Sequence, residues 1–265
     1  MWIGTGWKMN MTVAEATRYA GTLRIFVEAE APPCQVFLLP PFTALAAVRD
    51  ALAGTTVQVG AQNAHWEDAG AYTGEISCSM IRDCGAALVE IGHSGRRQHF
   101  GETDETANLK VKAAVRNGLR PLICVGESAE ERDAGRALEV VERQAARALE
   151  GLAPSAAAAA LIAYEPVWAI GEGGESASPD YANQIAASLR QRLSDRLGAG
   201  VAATLALLYG GSVDRDNATA FLLQPQIDGL FIGRAAWQVD GFIDILRRAS
   251  QISLRTGQSS AGAIP

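Results

Sequence analysis

The chain has 265 residues, 48% of them hydrophobic and 20% charged, with a formal net charge of −6. That is apolar material for one large core or two small ones, and an acidic balance with no basic tract longer than Arg96-Arg97 or Arg247-Arg248 argues against nucleic acid or an anionic membrane as partner. No apolar run reaches the roughly 18 residues of a membrane span, no leader precedes the first strand, and Cys34, Cys78, Cys84 and Cys124 lack metal-ligand spacing, so the expectation is a cytoplasmic protein with buried thiols.

Short continuous apolar runs alternate with longer amphipathic ones. Trp2–Trp7 reads as a strand, and Thr12 before Glu15 reads as a capping box opening a helix to Glu30. Strands at Val36–Leu39, Val57–Gly60 and Ala86–Ile91 lead to a helix at Asp104–Asn117, which Gly118 stops. The strand Pro121–Val125 precedes a long helical pattern, Ala129–Leu149, and an alanine-rich connection, Pro154–Ala160. The strand Leu161–Tyr164 is followed by a helix at Ser178–Leu197, with Ser178-Pro179 as its entry. Strands at Leu205–Tyr209 and Gly229–Ile232 carry helices at Asp214–Leu223 and Gly241–Ala249, and Gly257–Pro265 reads as a loose tail.

Strands that are apolar throughout, not alternating, are those buried on both faces. Eight strand-then-helix units, about 30 residues apart, with right-handed crossovers, predict a closed single-domain (β/α)8 barrel over residues 1–256. The competing open doubly wound sheet lacks its dinucleotide fingerprint, because "GTG" at 4–6 runs into "WKMN" with no third glycine in position.

In such a barrel chemistry sits at the C-terminal strand ends. Those ends carry Lys8, His93 and Glu165. Singly, a lysine there reads as a solvated surface group and a histidine as a packing residue. Glu165 follows "LIAY" and precedes "PVW", apolar company that raises proton affinity and suits a general base. A base, a hydrogen-bond donor and a cation converging on one rim point to catalysis. Glycine turns at Gly171–Gly174, at Gly210-Gly211-Ser212 and at Gly233 either cradle a phosphate on exposed amides or merely permit tight turns. Arg234 either meets that phosphate or points outward, and the 166–177 stretch has the stiff flanks and flexible tip of a lid.

The motifs "WKMN" (7–10), "PPFTAL" (40–45), "GAQN" (60–63), "TGEIS" (73–77), "EIGHS" (90–94), "FGETDE" (100–105), "ICVGE" (123–127), "AYEPVWAIG" (163–171), "YGGSV" (209–213) and "DGLFIGRAAW" (228–237) resemble the triosephosphate isomerase family over nearly the whole chain. The resemblance implies a TIM barrel and an aldose–ketose isomerase that interconverts dihydroxyacetone phosphate and glyceraldehyde 3-phosphate through an enediolate. Glu165 would move the carbon-bound proton, neutral His93 and Lys8 would stabilise the enediolate oxygens, and Gly171, Gly210, Gly211, Ser212, Gly233 and Arg234 would hold the phosphate. It implies no metal and no cofactor, a sugar-phosphate substrate, and a homodimer through residues 62–75.

Two positions depart from the family, which has asparagine before "WKMN" and glutamate after "GHS"; here they are Gly6 and Gly95. The sequence reading treats them as one polar cluster beside Lys8 emptied as a unit, loosening the lysine, weakening the dimer contact of Thr73 and making room for a longer substrate. With "NAHWEDAGAYTGE", a lid one residue longer and "GLFIGRAAW", the chain also looks like the bacterial branch that isomerises L-erythrulose 1-phosphate, a four-carbon ketose phosphate. Three readings stand: the three-carbon isomerase first, the four-carbon isomerase second, and a non-catalytic phosphate-binding paralogue third.

Overall fold

The structure, a computed structural model, describes residues 1–171, 174 and 176–256. The expected tail, and Glu172, Gly173 and Glu175 of the expected lid, lie outside the described residues. Eight strands, β1 (Trp2–Gly6), β2 (Gln35–Leu39), β3 (Gln58–Ala61), β4 (Leu88–Ile91), β5 (Arg120–Val125), β6 (Leu161–Tyr164), β7 (Ala206–Tyr209) and β8 (Gly229–Ile232), pair in parallel in chain order. β8 closes on β1 with Trp2 opposite Gly229, completing a (β/α)8 barrel.

Each strand feeds two cores because successive side chains point to opposite faces. Phe37, Leu88, Leu122, Leu161 and Phe231 fill the barrel interior. Val36, Val89, Ile123 and Ile162 face outward into the layer beneath the helices. Double-sided burial is why the strands read as unbroken apolar runs. Gly4 is fixed by this packing, since a Cβ there would stand 2.1 Å from the Phe37 ring.

The helices are α1 (Val13–Glu30), α2 (Leu45–Ala51), α3 (Cys78–Asp83), α4 (Ser94–Phe100), α5 (Asp104–Arg116), α6 (Ala129–Asp133), α7 (Ala137–Leu149), α8 (Pro154–Ala159), α9 (Pro179–Leu197), α10 (Ala199–Thr204), α11 (Ala218–Leu222) and α12 (Val239–Thr256). The Thr12–Glu15 capping box opens α1, and Ser178 caps α9 through the Tyr181 amide. Gly118 ends the α5 turn at φ +69°, where other residues are strained.

Several expectations need correction. The single helix expected over Ala129–Leu149 breaks between α6 and α7, where Gly135 takes φ +70°. The alanine-rich connection is helical as α8, with Pro154 at its first turn. Only Ala218–Leu222 of Asp214–Leu223 is helical, because the Asp214 carboxylate accepts from the amides of Asp216 and Asn217 and holds a turn there. Helix α12 begins two residues before the expected start and runs on to Thr256. Among the described residues no helix is long and apolar enough to cross a membrane.

Candidate active site

At the C-terminal mouth of the barrel lies a cavity of about 1110 Å³, and every residue singled out as a site candidate in the sequence lines it. The strands place them: Lys8 two residues past β1, His93 two past β4, Glu165 immediately past β6.

Glu165 is buried, with its carboxylate Oε2 3.7 Å from His93 Nε2. Oε2 has no hydrogen-bond partner among the described residues. Burial pushes the carboxyl up to about 7, against the pull of the Lys8 cation. His93 caps α4, its Nδ1 accepting the Gly95 N–H at 3.0 Å. Nδ1 is therefore unprotonated, and the neutral ring carries its proton on Nε2, toward Glu165 and the cavity. Burial, reinforced by Lys8, pushes the imidazole down to about 4.

The turn bearing His93 is held from below. Buried Glu102 accepts from the Gly92 amide at 2.7 Å and from Arg96 Nε at 3.0 Å, and it pairs with buried Lys110. Burial alone would raise this carboxyl, but Lys110, Arg96 and the Gly92 amide outweigh it and hold it below its ordinary value. Lys8 sits at φ +53°, a strained backbone for a lysine, braced by Gln62 Nε2 donating to its carbonyl at 3.0 Å. Its ammonium makes no ion pair within 4 Å among the described residues.

The glycine turns divide by what a side chain there would meet. A Cβ at Gly210 would stand 2.8 Å from Glu165 Cγ, and one at Gly211 2.3 Å from the Tyr209 hydroxyl. These two glycines clear space for Glu165 and for Tyr209. A Cβ at Gly233 would meet nothing within 4 Å, and Gly171 likewise opens to free space at φ +95°. Ser212, Gly233 and the exposed Arg234 form the side of the cavity suited to an anion. Only a three-residue 3-10 turn, Arg234–Ala236, follows Gly233 directly, and α12 starts later at Val239. The N-terminus of the last helix therefore does not follow Gly233 directly, unlike the expectation from the sequence.

The lid flanks are anchored at both ends. Buried Glu127 accepts from Tyr164 Oη at 3.0 Å, Trp168 Nε1 at 2.8 Å and Tyr181 Oη at 3.2 Å. On the far side Ser176 Oγ donates to the Ser212 carbonyl at 3.1 Å, linking the lid to the β7 turn. Tyr72 and Thr73, in the 62–75 segment, are exposed.

Gly6 and Gly95 both line the cavity, and a first side-chain atom at each would meet different neighbours. A Cβ at Gly95 would meet only the His93 ring, at 3.2 Å from Nδ1. A Cβ at Gly6 would approach Phe231 Cζ at 3.1 Å and Glu90 Oε2 at 3.7 Å. Glu90 escaped the sequence reading, although a carboxylate at an inward position of the apolar run "ALVEI" was the available signal. It is 5% exposed, and ligand atoms of Glu90, His93 and Glu165 lie within 4.8 Å of one another. Such a trio could ligate a divalent cation, but both carboxyls hold protons more tightly than free ones, which favours proton chemistry.

A family model described as triosephosphate isomerase matches residues 1–249. The L-erythrulose-1-phosphate isomerase of Mesorhizobium japonicum is 53% identical over 250 residues, covering 94% of this chain and 97% of that protein. The protein of the same name in Mycolicibacterium smegmatis is 52% identical over 252 residues, covering 94% and 93%. That of Brucella abortus is 51% identical over 250 residues, covering 94% and 96%.

Proposed function

The chain belongs to the triosephosphate isomerase family, and from that membership we propose that it isomerises a four-carbon ketose phosphate, L-erythrulose 1-phosphate, through an enediolate. The scheme of glutamate base, neutral histidine and closing loop is the known pattern of triosephosphate isomerase itself, taken over here and not deduced from this chain. The observation that carries the reaction class is the buried Glu165 carboxylate, with no hydrogen-bond partner for Oε2, facing the Nε2–H of His93. The size of the substrate is supported by the relatives' names at 51–53% identity. That support moves the four-carbon reading ahead of the dihydroxyacetone phosphate reading that the sequence put first.

The chemistry follows from where the ketone lies. In L-erythrulose 1-phosphate the carbonyl is at C2, and C1 carries the phosphate ester, so of the two carbons beside the carbonyl only C3 has both a hydrogen and a free hydroxyl. Glu165 takes the C3 proton, and the C–H electron pair forms the C2–C3 double bond while charge gathers on the C2 oxygen. His93 Nε2–H and the Lys8 ammonium stabilise that oxygen. Glu165 returns the proton to C2, and the proton that the C3 hydroxyl gives up as the C3 carbonyl forms passes by way of His93 to the C2 oxygen, which becomes the new hydroxyl. The product is again a ketose, with the phosphate now at the far end. The aldose–ketose label therefore fits only the three-carbon reaction. Ser212, Gly233 and Arg234 hold the phosphate in this reading, Gly171 bounds it from the lid, and closure of the lid shields the enediolate from water.

In heavy water, solvent deuterium is expected to enter C3 of L-erythrulose 1-phosphate, or the former C2 in the product ketose, read by proton NMR, and Glu165→Gln is expected to stop it. Properly folded protein that leaves both this sugar and dihydroxyacetone phosphate unlabelled ends the enzyme reading. Labelling of the three-carbon sugar alone returns the first reading.

A further inference from the structure

The inward face of β4 carries Leu88 and then Glu90, a carboxyl group set into the apolar barrel interior beside Cys124 and Phe231. One of its oxygens has a weak partner, the Cys124 thiol at 3.7 Å. The other, Oε2, has no hydrogen-bond partner among the described residues and lies 3.7 Å from the place a Cβ of residue 6 would occupy. Unlike Glu165 Oε2 it is not fully enclosed, so it is a hydrogen-bonding atom open to a ligand in the cavity. We propose that Glu90, working in the space Gly6 leaves open, binds the hydroxyl on the fourth carbon of the substrate and thereby selects four-carbon over three-carbon ketose phosphates. This rests on the four-carbon reading above.

Three observations converge on that assignment. Glu90 lines the same cavity as the reacting groups, with its ligand atoms within 4.8 Å of those of His93 and Glu165. In the four-carbon reading the carbon that Glu165 deprotonates carries the extra hydroxymethyl group, which puts its hydroxyl only two bonds from the reacting carbon, beside the group to which Glu90 belongs. Gly6 supplies the room, since a side chain there would press on Phe231 at 3.1 Å and occupy the space in contact with Glu90 Oε2, 3.7 Å away. Finally, burial and the neighbouring Glu165 charge push Glu90 up to about 8, against the pull of Lys8. A neutral carboxyl both donates and accepts, as a hydroxyl does. It also adds no negative charge beside the enediolate. A three-carbon substrate has no hydroxyl to offer and leaves Glu90 unpaired.

The test compares wild type, Glu90→Leu, Glu90→Gln and Gly6→Ala on L-erythrulose 1-phosphate and on dihydroxyacetone phosphate, the latter both as substrate and as competitive inhibitor. Glu90→Leu is expected to lower kcat/KM for the four-carbon sugar about 10²-fold, while the inhibition constant of the three-carbon sugar moves less than about threefold. Glu90→Gln, which keeps shape and a hydrogen bond, is expected to restore most of the loss, and Gly6→Ala to act on the four-carbon sugar selectively. Equal loss on both sugars in every folded variant overturns the subsite and leaves the four-carbon reading standing. Wild type that ignores L-erythrulose 1-phosphate removes that reading, and the subsite with it. Should Glu90→Leu fail to fold, Glu90→Gln and Gly6→Ala decide by the same selectivity ratio.

Discussion

Gly95 donates its backbone N–H to Nδ1 of His93 over 3.0 Å, and this one bond fixes which nitrogen of the ring faces Glu165. The sequence marks Gly95 as a side chain missing beside His93 and Lys8, and in the fold its amide lies against the imidazole. Nitrogen-15 spectra of labelled protein are expected to show His93 as the neutral Nε2–H tautomer from pH 5 to 8, since burial and Lys8 push its pKa to about 4. A titration of that ring centred near 6.5 would contradict the assignment. Gly95→Pro deletes the donor and is expected to mix the tautomers and lower kcat.

Arg234 gives the cavity a cation on the side of Ser212 and Gly233. Among the described residues no carboxylate pairs with it, so its charge is free to meet a phosphate. Arg234→Ala is expected to raise KM for the sugar phosphate about 10- to 100-fold with kcat little changed, the pattern of lost uniform binding. Inhibition by inorganic phosphate should weaken in parallel. An unchanged KM means the guanidinium points away from the substrate.

Gly210 tests placement of the base. An added methyl would stand 2.8 Å from Glu165 Cγ and 3.0 Å from its Oε1, so the carboxylate must move. Displacing a reacting group by about 1 Å costs on the order of 10² in rate. Gly210→Ala is therefore expected to lower kcat by about that factor while phosphate inhibition stays as in wild type. Wild-type kcat would show that Glu165 has slack that the packing does not suggest.

What could be read in advance, and what could not, has a physical pattern. Lys8, His93 and Glu165 follow apolar strand runs, and polarity at a strand end is visible in one dimension. Eight buried strands gave themselves away by their continuous apolarity, and Thr12, Gly118 and Ser178 marked their helix ends through local chemistry. Glu90 stayed hidden because its role depends on facing: Val89 and Ile91 on either side point outward, and only pairing with β5 sets Glu90 against Cys124. Gly6 and Gly95 were joined in the sequence reading by their shared nearness to catalytic residues. In space Gly6 opens toward Phe231 and Glu90, and Gly95 toward His93. The break at Gly135 was equally silent, since a glycine inside an amphipathic pattern reads as a weak helical residue until its φ is known.

Stability against pH gives a reading of Glu90 that does not depend on turnover. Glu90 is faced by Glu165, Lys8, His93, Cys124 and Glu102, and it and Glu165 both bind protons more tightly folded than unfolded. A raised folded value means stability is fully present below about 4.5 and is lost as pH climbs through 7 to 8. His93 runs the other way, its contribution present above 6.5 and lost as pH falls toward 4. Glu90→Gln removes one proton-linked term and leaves the others. Its stability relative to wild type is expected to improve from pH 5 to pH 8, by at most about 1.4 kcal/mol per pH unit, and to level off above that. Urea unfolding at pH 5, 6.5, 8 and 9 measures it, and a difference that stays constant across the series would show that Glu90 is not held neutral. A group whose replacement by Gln strengthens the fold as pH rises, and whose replacement by Leu lowers four-carbon turnover, is in place for its ligand and not for the barrel.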